Sequence, residues 1–306
     1  MNDPIAAIVI PARNEEARIG ACLAAIAPQA KDILTVLVVN GTNDGTIAAA
    51  RRTATESGLR LDIIDRGAIT AGGVGSARTI GCNHALTKHL SIKAILTTDA
   101  DCIVAQDWVA NTLAHLSHHD AVCGRVEAMP EESSILSGMD PGPATLEGRY
   151  RELVLAFYRR HAPEAANPDV HHGEAAGASL ALTRTAYDRT GGFRALTTGE
   201  DTDLVRRMKK AGLSVRHAPD VVAHASCRLD GRARGGMAEA LRLRLEGTDY
   251  RIGDGMPEAD WLIARAEAGR LGFWPPHVPV SRRMRARDLA PQIARLETHL
   301  ARLFAA

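Results

Sequence analysis

The sequence predicts an α/β protein: a mostly parallel sheet flanked by helices, with a C-terminal helical extension. Three observations carry this reading. Short apolar runs alternate with helical patterns through the first half of the 306-residue chain. Those runs are apolar on both faces, as strands buried in a parallel sheet are. Beyond Ala225 the chain becomes Arg-rich and helical by pattern. Strand and helix in alternation imply parallel strands joined by right-handed crossovers.

The elements follow in order. "IAAIVI" (Ile5 to Ile10) reads as the first strand. Asn14 is placed to cap a helix opening with Glu15 and Glu16, on which Ile19, Cys22, Leu23 and Ile26 share a face. "ILTVLVV" (Ile33 to Val39), "LDIID" (Leu61 to Asp65) and "AILTT" (Ala94 to Thr98) are the next strands. The glycine-rich "AGGVGSARTIG" (Ala71 to Gly81) leads into a helix with Ala77, Ile80, His84 and Ala85 at helical spacing. Ile103 to Leu116 reads as another helix. From Pro130 the pattern is irregular, apart from a helix over Thr145 to Arg160. "ASLALT" (Ala178 to Thr183) restarts the strand signal; a helix over Glu200 to Ala211 and short strands at Ser214 to His217 and Val221 to His224 follow. Residues 1–226 are thus expected to form one domain and 227–306 a helical extension packing on it. Leu289, Ile293, Leu296, Leu300 and Leu303 form one stripe, suited to packing on the domain or in a homodimer.

Composition excludes several classes. Hydrophobic residues make up 45% and charged residues 24%, which is ordinary globular usage. The formal net charge of +1 sets up no global field for a nucleic-acid partner. The five cysteines form no CxxC pair, so neither a zinc ribbon nor a disulfide framework is indicated, and a reducing cytoplasm is expected. "MNDPIAAIVIP" lacks the features of a signal peptide, and no apolar run approaches the roughly 20 residues of a transmembrane segment. The basic stretches Arg228 to Gly236 and Ser281 to Asp288 read as solvated faces, with peripheral membrane contact or an anionic acceptor as the alternative.

The chemistry concentrates at strand ends. In an open parallel sheet, ligands bind outside the carboxyl ends of the strands. "AILTTDAD" closes on Asp99 and Asp101 there. In extended backbone, residues i and i+2 face the same way, so both carboxylates would meet one ligand. Paired carboxylates suit a hard divalent cation, Mn²⁺ or Mg²⁺, bridging to phosphates; a turn with solvated acids is the competing reading. "IPARNEE" and "VVNGTNDGT" close the first two strands, where Asn40 and Asp44 could contact a base or ribose, or serve Asx turns. Arg78 lies in the glycine-rich segment. In "TTGEDTDLVRRMKKAG", Asp201 heads the apolar stripe of Leu204, Val205 and Met208, whereas Asp203 aligns with Arg207 and Lys210. A carboxylate on an inward stripe is costly unless paired or used, which makes Asp201 a candidate general base, with a buried cap as the alternative.

"IPARNEE", "VVNGTNDGT", "GVGSARTIG", "DAD", "GASLALTRTAYDRTGGF", "GEDTDLVRRMKKAG" and "VVAHAS" occur in the order seen in family 2 glycosyltransferases, and the chain resembles that family over about Pro4 to Ser226. The resemblance implies a GT-A fold and an inverting, metal-assisted enzyme taking a nucleotide-sugar donor, a UDP-sugar favoured, to a hydroxyl acceptor. It implies that Asp99, Ala100 and Asp101 bind the metal and the ribose-diphosphate. Pro11, Ala12, Arg13, Asn14 and Glu15 fall on the donor side. Asn40 stands where the family usually has a base-recognising Asp, and Arg78 in the base and phosphate region. Gly177 and Ala178 match the acceptor-side turn, and Glu200 and Asp201 the pair whose Asp takes the acceptor proton. His224 matches a position that reaches the metal or diphosphate. A nucleotidyltransferase would want a basic, glycine-rich loop directly after the first strand, where only Arg13 stands. An NAD oxidoreductase would want its glycine loop there, not after the third strand. A non-catalytic nucleotide-sugar-binding protein is the third alternative.

Overall fold

The computed structural model describes residues 3–68, 71–163, 172, 175–231, 236–247, 249–253 and 255–305, with the backbone alone at Val280 and at residues 303–305. The strands are β1 (Ala6–Ala12), β2 (Ile33–Val39), β3 (Leu61–Asp65), β4 (Ala94–Thr97), β5 (Cys102–Val104), β6 (Ala121–Ala128), β7 (Leu180–Thr183) and β8 (Val215–Ala225). The helices are α1 (Ile19–Ile26), α2 (Thr46–Ser57), α3 (Gly73–Lys88), α4 (Trp108–Leu116), α5 (Pro141–His161), α6 (Arg184–Thr190), α7 (Glu200–Lys210), α8 (Met237–Leu245), α9 (Ala259–Glu267) and α10 (Leu289–Ala305). Packing divides the chain into two units, Met1–Ser133 with Glu174–Ala238, and Ser134–Gly173 with Glu239–Ala306. This differs from a single cut after Ser226, because the middle segment that carries α5 groups with the C-terminal helices.

The first unit holds one eight-stranded sheet in the order β3-β2-β1-β4-β7-β6-β8-β5. Strands β1 to β4 run parallel, as expected for alternating strand and helix. Strand β7 is antiparallel to β4 and β6, and β5 is antiparallel to β8, so the sheet is mixed toward that edge. The period-2 alternation of β1 separates its side chains between two cores. Ala6, Ile8, Ile10 and Ala12 meet Ile19, Leu23 and Ile26 of α1 and Trp108 of α4. Ala7 and Val9 meet Ala77, Cys82 and Ala85 of α3 and Leu204 and Met208 of α7. Burial of both faces explains the continuous apolar run. A Cβ at Gly81 would run into the Val9 side chain, so glycine is what lets α3 lie against the sheet.

Four expectations are corrected. Asn14 does not cap a helix: it has φ 53°, and α1 begins only at Ile19. Glu15 and Glu16 instead donate their N–H groups to Thr46 and Asp44, tying the end of β1 to the loop after β2. The segment expected to be helical from Ile103 opens as strand β5, and α4 starts at Trp108. Strand β6 was not anticipated, because Gly124, Arg125 and Glu127 interrupt its apolar pattern. The two short strands near its partner are one strand, β8, with a bulge: Gly124 pairs with Ala218 and Arg125 with Val222, so Pro219 and Asp220 fall in the irregularity.

The second unit packs α5, α9 and α10 around Tyr150, Phe157, Tyr158, Leu262, Trp274, Leu289 and Leu296. Asp140 caps α5 by accepting from the Gly142 N–H. Leu289, Leu296 and Leu300 of the α10 stripe are buried in this core and Ile293 packs against it; the Leu303 side chain lies outside the described residues. Among the described residues no helix is long and apolar enough to cross a membrane.

Candidate active site

The C-terminal ends of β1, β2 and β4 lie side by side in the first unit. Register pairs Ala12 with Val39, and the Asn40 N–H donates to the Ala12 carbonyl at 2.9 Å. Pro11 and Ala12 are thus β1 ladder residues; Ala12 is buried, whereas Arg13 is exposed. Asn14 accepts from the Asn43 N–H. Asp44 spends one oxygen on the Thr46 N–H and hydroxyl, which is the turn role rather than the ligand role.

Asp99 and Asp101 do converge, but through a turn instead of extended strand: the Cys102 N–H donates to the Asp99 carbonyl at 3.1 Å. One donor atom from each of Asp99, Asp101 and Cys102 lies within 4.8 Å of the others. Burial raises both aspartates, opposed by Arg78 at Asp99 and by Arg228 at Asp101. Burial, with the two aspartates, pushes the Cys102 thiol well up. A protonated thiol is a poor ligand for a hard cation, while the carboxylate oxygens fit Mn²⁺ or Mg²⁺. The donor set therefore suits the expected metal through the acids alone.

Arg78, expected near a base or phosphate, is 2% exposed. Its Nη2 donates to Asp99 at 2.5 Å, and its Nη1 pairs with buried Glu200. Burial alone would lower its pKa, but Asp99, Glu200 and Asp201 carry it upward. A Cβ at Gly177 would strike the guanidinium, so the glycine makes room for it. Arg78 therefore acts as a buried counter-ion joining α3, the aspartate turn and α7. Burial raises Glu200, with Arg78 opposing.

Asp201 sits on the first turn of α7, behind Leu204, Val205 and Met208, which are all buried as the stripe required. Its Oδ2 accepts from the Gly177 N–H and its Oδ1 from the Thr202 N–H, both at 2.6 Å. The Thr97 hydroxyl donates to the Gly177 carbonyl at 2.7 Å. The Gly177–Ala178 turn is thereby pinned between the end of β4 and α7. Asp203 pairs with Arg207 at 2.8 Å on the opposite face.

His224 lies on β8, which pairs with β5 directly after the aspartate turn. It pairs with Ile103 across β5 and β8, its Nδ1 lies 3.9 Å from Glu127, and its nitrogens are not in the group formed by Asp99 and Asp101. Sequence reasoning missed Arg228 as a site residue. Its guanidinium is bidentate to Glu15 at 2.7 Å and reaches Asp101 at 2.8 Å. No local signal could have found it: Glu15 is buried to 5% exposure only in the folded chain, and its need for a cation appears there.

The family model described as "Glycosyl transferase family 2" matches residues 7–176. A curated relative, Glycosyltransferase AglE of Haloferax volcanii, is 26% identical over 300 residues, covering 90% of this chain and 83% of its own. Among solved structures, the mannosyltransferase PcManGT from Pyrobaculum calidifontis, in complex with GDP-Man and Mn²⁺, superposes with TM-score 0.53 at 22% identity. That match covers 100% of this chain and 76% of the other. TarS 1–349 of S. aureus, in complex with UDP-GlcNAc, gives 0.51 at 13% identity over 80% of this chain and 62% of its own. These similarities fix the fold as GT-A.

Proposed function

The chain belongs to glycosyl transferase family 2, and on that premise we propose that it moves a sugar from a nucleoside-diphosphate sugar to an acceptor hydroxyl with inversion. The observation that carries this is the convergence of Asp99 and Asp101 at the sheet edge where the Gly177 turn holds Asp201. Asp101 and Asp99 would hold Mn²⁺ or Mg²⁺, which supplies charge neutralisation for the departing diphosphate. His224, whose buried Nδ1 has no hydrogen-bond partner among the described residues, is a secondary ligand candidate. Pro11 to Glu15, Asn40 and Ala100 line the donor side. The GDP-Man and UDP-GlcNAc complexes of the two structural relatives support a nucleotide donor. A UDP-sugar remains the favoured donor, with Asn40 replacing the usual base-reading acid.

Asp201 would accept the acceptor proton while the hydroxyl oxygen attacks C1, and the bond from C1 to the diphosphate oxygen breaks on the opposite side. The Gly177 and Thr202 N–H groups hold its carboxylate in one orientation. Glu200 supports the site by neutralising Arg78. Five free, buried cysteines suit a reducing compartment such as the cytoplasm.

The test is thermal melting against UDP, GDP, TDP, CMP and NAD, each with and without Mn²⁺. One nucleoside diphosphate should raise the melting temperature only with the metal, and D101N should lose that gain. D201N should keep donor binding and lose transfer by at least ~100-fold. Normal turnover in D201N would remove Asp201 as the base, and stabilisation by NAD alone would remove the donor assignment.

A further inference from the structure

The arginine on Asp101 belongs to the segment just after β8, and that segment is anchored independently of it. Glu132 accepts from the Ser226 hydroxyl and the Cys227 N–H, both at 2.8 Å, and from Arg18 at 2.5 Å. The Ser226 N–H donates to the Asp101 carbonyl at 3.2 Å. The backbone is therefore fixed beside the aspartate turn, and the Arg228 side chain extends from this fixed point onto two acids. Its fork is matched to Glu15, which takes two parallel hydrogen bonds, while the Nη2 is shared with the Asp101 Oδ2. The other Asp101 oxygen takes the weak Cys102 thiol donor at 4.0 Å. Arg228 is mostly buried, with 18% of its side chain exposed, and Glu15 and Asp101 push its pKa up against its burial.

A guanidinium and a divalent cation compete when they meet at one carboxylate oxygen. Both need its lone pairs, and two cations within contact distance of each other repel strongly in a partly desolvated site. We propose that Arg228 is a built-in competitor of the divalent cation: it supplies the positive charge that Glu15 and Asp101 require, and it must leave Asp101 for the ion to bind there. Glu15 retains the guanidinium through Nη1, which does not contact Asp101, while the shared Nη2 gives up Asp101. The ion's affinity is thus set by this chain's own arginine as well as by its acids. This rests on the reading above that the ion binds at Asp101, and the experiment separates the two.

Mn²⁺ binding to the full chain, followed by the electron paramagnetic resonance signal of free Mn²⁺, tests it without any turnover. Wild type, R228Q, R228K and D101N are titrated with Mn²⁺ alone. R228Q should bind Mn²⁺ at least about tenfold more tightly than wild type, because one positive charge is removed at contact distance. R228K keeps the charge and loses the fork, so it should fall between the two, and it carries the test if R228Q does not fold. D101N should lose the site. R228Q and R228K binding Mn²⁺ no more tightly than wild type, while D101N loses it, would overturn the competition and leave the metal site standing. Binding undiminished in D101N would overturn both.

Discussion

Gly177 and Glu200 make the residue scale testable, since each is defined by Arg78. G177A places a methyl group against the guanidinium and should destabilise the protein by about 2 kcal/mol in urea unfolding. E200Q leaves Arg78 with Asp99 as its remaining contact acid and should cost about 3 kcal/mol, whereas D203N should cost less, because its partner Arg207 keeps the Thr190 and Gly192 carbonyls. A small effect of E200Q would mean that Arg78 does not depend on it for neutralisation. The acids of this network were legible in the sequence. Asp99 and Asp101 close an apolar run, and Asp201 interrupts an apolar helical stripe, so both announce themselves against their neighbours. Arg228 does not. It meets Glu15 across 213 residues, and a charge pair so remote leaves no local pattern. Arg78 was seen as a site residue, but a sequence cannot tell a buried counter-ion from a ligand contact.

Helix α5 and helix α10 carry a pH dependence. The Nε2 atoms of His161 and His299 lie 3.3 Å apart, within a group that includes the Phe157 ring. Burial, then His299 and Arg160, lowers the pKa of His161 below its ordinary value. On acidification the unfolded chain therefore takes the proton first. Stability should be level above about pH 7.5, fall as the pH passes through about 6.5, and stop falling from this source below the native value. H161Q should flatten that fall in urea midpoints measured between pH 5 and 8; an unchanged slope would remove His161 as its origin. Element identity follows the same divide between local and distant information. β1, β2, β4, α5 and α7 were readable because hydrophobic period and caps act within a dozen residues. Strand β6 and the joined β8 were not, because Arg125 and Glu127 fit a strand only beside β8, and the bulge at Pro219 and Asp220 is visible only once the partner is in place. The helix expected to start at Glu15 failed for a related reason: Thr46 and Asp44 take the first-turn N–H groups that an Asn14 cap would have served, and the Asn14 side chain accepts from Asn43 instead.

At the scale of the whole molecule, all five cysteines are free and buried, spread over β5, β6, α1, α3 and the segment after β8. A disulfide-forming thiol reagent should label essentially none of them in the native protein and all of them in denaturant. Fast labelling of a thiol in the native state would show that its region opens. The sheet has its own history. Among the described strands β5 borders β8 alone, so Cys102 finds its partner only when Ala225 exists, and Glu15 finds Arg228 later still. During synthesis the strands β1 to β4 can emerge and pair early, while contacts of such long sequence separation form last. A nascent chain paused before residue 215 would therefore hold the two aspartates in a turn whose following strand, β5, has no neighbour. It would also expose Glu15 with no cation to meet it. The acidic edge on which the finished protein depends is, on the ribosome, the part of the sheet that stays unfinished longest.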